Sequence, residues 1–177
     1  MHFKLNYQLN KGCTKIVALL IWITGCTNGT QMKSESSDKF VREIDKIRLT
    51  DMSGTSISLK QFEGKTIFIN FWATWCKPCI KEMPSIKEAQ NILKNEEVIF
   101  LMASNESAAQ IEEFKKNHEY SFDYVRIENS EEMNVQTLPV TFIFNSKGNL
   151  IFSEAGLRKW DDKNNIDMIL KIVKEND

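Results

Sequence analysis

Cys76-Lys77-Pro78-Cys79 constrains this chain more than any other feature, because of what stands on either side of it. The preceding run, Thr66-Ile67-Phe68-Ile69-Asn70-Phe71-Trp72, is β-branched and aromatic over the length of one buried strand. In the following stretch, Ile80 to Lys94, apolar residues recur at Ile80, Met83, Ile86, Ala89, Ile92 and Leu93, the spacing of one helix face. Two thiols are thus expected at a strand-to-helix junction, with Cys76 at or just before the helix N-terminus. Free N–H groups and the helix dipole favour a thiolate there. Pro78 fits the first helical turn, where a missing N–H loses no hydrogen bond.

Half of a zinc site is the other common use of such a pair. The chain has four cysteines and two histidines, and Cys13, Cys26 and His2 fall in its N-terminal leader. Only His118 is left. Two thiols and one imidazole do not close a tetrahedral site, and Ile80 stands where covalent c-type haem attachment needs a histidine. Dithiol redox chemistry is expected, with no metal and no bound cofactor.

The leader sets the compartment. Residues 1–15 hold Lys4, Lys11 and Lys15 with no acid, and Ile16 to Ile23 is a short apolar core, together a secretory signal peptide. Those eight apolar residues fall short of the roughly 20 that a membrane span needs. The core ends in Ile23-Thr24-Gly25-Cys26, which resembles the lipobox of bacterial lipoproteins, where cleavage precedes the cysteine and its thiol is acylated. A buried free cysteine is the alternative for Cys26. The expected organisation is a signal peptide over 1–25, a lipid-anchored tether over 26–43, and one domain over 44–177. That places the domain in the bacterial envelope, facing the periplasm and touching membrane through its lipid. The tether is small and polar, with Met32 as the one apolar residue between 27 and 39. Loss of residues 1–25 removes three lysines and no acid, leaving 20 basic against 24 acidic residues and a net charge of −4. Nucleic-acid binding gets no support from that balance.

Periodicity and turn signals predict the remaining order. Strands over Ile44–Thr50 and Ser56–Leu59 flank a hairpin turn at Asp51-Met52-Ser53-Gly54. A strand over Val98–Ala103, a helix over Ser107–His118 with Ile111 and Phe114 inward, and a strand over Phe122–Ile127 follow. Asn129 to Asn134 is too short for more than a turn of helix. A second hairpin joins Val140–Phe144 to Leu150–Phe152, and a helix over Trp160–Val173 closes the chain.

With these elements in place, the domain resembles the thioredoxin superfamily, and specifically the TlpA/ResA-like thiol–disulfide oxidoreductases of bacterial envelopes. The resemblance rests on Asp51-Met52-Ser53-Gly54 with Leu59 to Lys65, on Phe71-Trp72-Ala73-Thr74-Trp75-Cys76-Lys77-Pro78-Cys79, on Glu82 with Pro84, and on Thr137-Leu138-Pro139-Val140-Thr141-Phe142. It implies an α/β thioredoxin-like fold, a central mixed β-sheet flanked by helices, with an N-terminal β-hairpin.

Within that frame Cys76 is the expected nucleophile, exposed at the helix start, and Cys79, one turn in, the shielded resolving thiol. Lys77 either favours the thiolate or is a solvated surface charge. Pro84 matches a kink proline. Glu82 is three residues beyond Cys79 on the same helix face; an ordinary surface helix would leave it in solvent. The resemblance implies instead a buried acid that exchanges a proton with Cys79. Asn70 stands where thioredoxins proper keep a buried Asp. For Pro139 a trans proline at a strand start is the alternative to the implied cis Leu138–Pro139 bond facing the dithiol, with the Leu138 backbone pairing with an extended client segment. Trp72 and Trp75 flank the site, Trp75 as an apolar docking face. His118 reads as a surface or capping residue. The implied partners are cysteine-containing client proteins and a membrane thiol electron donor, with apocytochrome c among the clients. Two other classes compete. A thiol peroxidase needs Pro and Thr or Ser where Ile69 and Ala73 stand; a metal or haem chaperone needs His118 close to both thiols.

Overall fold

Strand β3 (Thr66–Phe71) forms the spine, and all six of its residues are buried. It pairs in parallel with β4 (Val98–Ser104) and antiparallel with β6 (Val140–Phe144). Being covered on both faces explains its unbroken apolar run. Its side chains still alternate: Phe68 and Trp72, which follows the strand, pack on one side, and Ile67, Ile69 and Phe71 on the other. The computed structural model describes residues 42–175; the leader, Cys26 and nearly all of the tether lie outside the described residues.

The mixed sheet runs β2-β1-β5-β4-β3-β6-β7, with β1 Leu49–Thr50, β2 Ser56–Ile57, β5 Asp123–Ile127 and β7 Leu150–Ala155. Helices α1 (Lys77–Ile92), α2 (Ala108–Asn117) and α3 (Lys163–Lys174) contribute Met83 and Ile86, Ile111 and Phe114, and Ile166 and Ile169 to the same core, on the Phe68 side. That sharpens the expected flanking arrangement. The crossovers β3–α1–β4 and β4–α2–β5 step in one direction across the sheet, and right-handed crossovers of that kind put both helices on one face. The other face is covered by Ile44, Ile47, Leu59 and partly buried Met133 and Val135. Among the described residues no helix is long and apolar enough to cross a membrane.

The N-terminal hairpin is present but short. Instead of a strand from Ile44, Glu43–Lys46 forms a 3-10 turn. Ile44 and Ile47 are both buried three residues apart, a spacing that a tight helical turn satisfies and an extended strand does not. Arg42 pairs with Asp45 at 2.9 Å, and Glu43 accepts the Leu150 N–H at 2.6 Å, so Arg42 and Glu43 are already tied into the domain. The strand expected over Ser56–Leu59 is confined to Ser56–Ile57, and Leu59 instead opens a 3-10 turn over Leu59–Phe62. In the β6–β7 turn Asn145 Oδ1 accepts the N–H groups of Lys147 and Asn149. Gly148 there has φ 79°, and a Cβ on it would stand 2.6 Å from Ile44 Cγ2.

Candidate active site

Cys76 is the N-cap of α1, and the Cys79 N–H donates to its Sγ at 3.3 Å. The two sulfurs are joined as a disulfide, 1.99 Å apart. Lys77 and Pro78 are the first two helical residues and both are exposed. The expected openness of Cys76 is corrected: it keeps 4 % of its surface and Cys79 none. The turn before the helix folds back, with the Cys76 N–H donating to Ala73 O at 3.0 Å, and Cys76 sits in the core cluster with Trp72 and Ala73. Both cysteines are thus buried in this oxidised state.

The turn is tied down by a residue that sequence reading passed over. Glu106, buried at the end of β4, accepts from the Thr74 N–H and Oγ at 2.6 Å each and from Ser104 Oγ at 3.2 Å. The available signal was an acid just past the C-terminal end of a parallel strand, where sites in α/β sheets collect.

Glu82 is 2 % exposed, which excludes the solvent alternative. Its Oε1 accepts from Asn70 Nδ2 at 2.6 Å and its Oε2 from the Arg158 N–H at 3.0 Å. Asn70 also donates to Thr141 Oγ at 3.0 Å. Burial pushes the Glu82 carboxyl above the usual carboxylate range, opposed by the Arg158 N–H, by Asn70 and by the Trp160 indole. Pro84 lies inside α1, so no N–H is available there for the carbonyl one turn back.

Leu138–Pro139 is cis and leads into β6, where Val140 pairs with Phe71 at the end of β3. Leu138 packs against the core that contains both cysteines. With Phe71, Trp72, Trp75 and Val135 it lines a groove of about 220 Å³. Trp75 is 71 % exposed, whereas Trp72 is buried against Phe114 and Tyr124. His118 is the C-cap of α2, its ring stacked on Phe114 at 3.9 Å and its Nδ1 3.0 Å from Phe114 O. Among the described residues no three His, Cys, Asp or Glu side chains gather to hold a metal ion. Sequence reading also missed Arg158, brought to Glu82 from 76 positions away, and gave Ser85 and Thr141 no role, because their partners Trp160 and Asn70 are likewise distant in the chain.

A mixed sheet with helices on one face and a dithiol at the N-terminus of its first long helix is the thioredoxin-like class of protein. The comparisons make this specific. A family model described as Redoxin matches residues 29–170. The thiol–disulfide oxidoreductase ResA of Bacillus cereus (strain ATCC 10987 / NRS 248) is 33 % identical over 151 residues, covering 80 % of this chain and 86 % of that protein. ResA of Bacillus thuringiensis subsp. konkukian is 36 % identical over 115 residues, covering 62 % and 66 %. Among solved structures, a putative thiol:disulfide interchange protein DsbE from Chlorobium tepidum superposes with a TM-score of 0.63 at 19 % identity, over 71 % of this chain and 92 % of its own. StoA from Bacillus subtilis gives 0.55 at 21 % identity, over 71 % and 93 %. The chain belongs to the Redoxin family and is a thiol–disulfide oxidoreductase of the ResA type.

Proposed function

We propose that the protein is an envelope lipoprotein, anchored through Cys26, that reduces disulfides in cysteine-containing client proteins facing the periplasm, apocytochrome c among them. The observation that carries the reading is the Cys76–Cys79 pair at the α1 N-terminus, beside a groove lined by Trp75 and Leu138.

In the reduced protein the Cys76 thiolate, favoured by the helix N-terminus and by Lys77, attacks one sulfur of a client disulfide. A mixed disulfide forms and the first client thiolate leaves. Cys79 then gives up its proton to Glu82 and attacks Cys76 Sγ. The Cys76–Cys79 disulfide forms, the second client thiolate leaves, and the client has gained two electrons. A membrane dithiol donor returns the pair to its reduced state by the same exchange. Pro78 holds the first turn of the helix, the Leu138 backbone pairs with an extended client segment before Pro139, and Trp75 offers the apolar contact. No bound cofactor is needed.

The direction is tested by the equilibrium potential of the Cys76–Cys79 pair against glutathione. A value near about −270 mV supports a reductant; one near about −120 mV reverses the direction.

A further inference from the structure

Glu82 receives one of its two hydrogen bonds from a backbone N–H, that of Arg158, which lies on the segment between β7 and α3. A backbone donor serves a buried acid only if its segment is held in place. Besides that bond, the segment is held to α1 by a second side chain of the same helix. Ser85 Oγ accepts the Trp160 N–H at 3.1 Å, and donates to Glu82 O at 2.8 Å or to Arg158 O at 3.4 Å. Ser85 is half-buried and follows Glu82 by three residues, so the same helical turn carries the acid and the clamp.

Elsewhere the segment is secured independently. Trp160 is buried edge-on against Phe68 at 4.7 Å. The Arg158 guanidinium is engaged by Asn165 and Glu154 and lies over the Phe152 ring at 5.2 Å. Asn165 in turn donates to Lys159 O at 2.7 Å. Removal of the Ser85 hydroxyl therefore leaves the segment attached to α3 and the core and frees only its register against Glu82.

We infer that Ser85 is a positioning residue for Glu82: its hydroxyl fixes the Arg158–Trp160 segment so that the Arg158 N–H meets the carboxylate. The inference rests on the reading that Glu82 exchanges a proton with Cys79. Around the acid, Asn70 from β3 and Thr141 from β6 are uncharged, Cys79 precedes it on α1, and the Arg158 guanidinium is turned to Glu154 and Asn165. The charged form of Glu82 is thus supported by hydrogen bonds from Asn70 and the Arg158 N–H and by the nearby Trp160 indole, and both Arg158 and Trp160 lie on the segment that Ser85 holds.

The test is a carboxyl ¹³C titration of Glu82 in the oxidised full chain, where neither cysteine titrates, for wild type, Ser85→Ala and Ser85→Thr. In Ser85→Ala the midpoint moves upward and the Trp160 amide loses hydrogen-exchange protection; Ser85→Thr, which keeps the hydroxyl, returns both toward wild type. A Ser85→Ala midpoint equal to that of wild type overturns the inference. In thiol exchange by the reduced protein, Ser85→Ala shifts the pH–rate profile, and the shift vanishes in a Glu82→Gln background; an equal shift in that background also overturns it. The underlying reading fails separately, if Glu82→Gln alone leaves the profile unchanged while the Glu82 titration still responds to Ser85.

Discussion

Above the dithiol, Glu106 meets three donors from Thr74 and Ser104, all within a few residues of the ends of β3 and β4. Below it, Glu82 meets two, from Asn70 and the Arg158 N–H, in a pocket walled by Trp160 and the β3–β6 pair. Both acids are buried, yet their surroundings suit them to different work. A carboxylate with two short hydrogen bonds from a loop and a third from the neighbouring strand serves as that loop's anchor. One with fewer donors and more burial has its ionisation opposed, the condition for taking up and releasing a proton.

The largest effect is expected above the dithiol. Glu106→Ala orphans the Thr74 N–H and both hydroxyls, and should cost roughly 2–3 kcal/mol in urea unfolding of the oxidised protein. A loss within about 0.5 kcal/mol, the size of an ordinary surface substitution, would dissolve the contrast between the two acids. Glu82→Gln keeps the shape, and a flip of the Asn70 amide lets its otherwise unpartnered Oδ1 accept from the new N–H₂, so stability changes little, but the step in which Cys79 attacks should slow by about 10²-fold, the low end for a lost general base. Insulin reduction and thiol alkylation followed across pH check this; superimposable profiles would leave Glu82 as packing alone.

A third prediction concerns stability against pH. A carboxyl whose folded pKa is raised above its unfolded value of about 4.3 binds its proton more tightly in the fold. Its contribution is fully present below the unfolded value and fades as pH rises through the folded one. The stability of oxidised wild type relative to Glu82→Gln should therefore fall with rising pH and then level off, and a flat difference across the series contradicts a buried, proton-holding Glu82. The smallest structural effect belongs to exposed Trp75. Trp75→Ala should change stability by less than about 0.5 kcal/mol, yet lower the yield of client mixed disulfides trapped on Cys76 by a Cys79→Ser variant. Undiminished trapping removes Trp75 from client recognition.

Local pattern determined a good deal of this. The strand into Trp72, the helix after Cys76, the capped helix from Ser107 and the turn at Asn145 are written in short-range periodicity and turn chemistry, which act between residues a few positions apart. The strand expected from Ile44 became a 3-10 turn because the burial of Ile44 beside Gly148 is a contact across about a hundred residues of chain. Glu82 was legible as an acid one turn beyond Cys79. That it is buried, and that Asn70, Thr141 and Arg158 surround it, depends on β3, β6 and the segment before α3 converging. Glu106 and Ser85 carried no motif at all, since a hydrogen bond between 74 and 106, or between 85 and 160, exists only once the sheet has brought those segments together. The dithiol chemistry belongs to a sequence of nine residues; the partners that tune it are assigned by tertiary packing, because burial and long-range hydrogen bonds have no spacing by which they can be read.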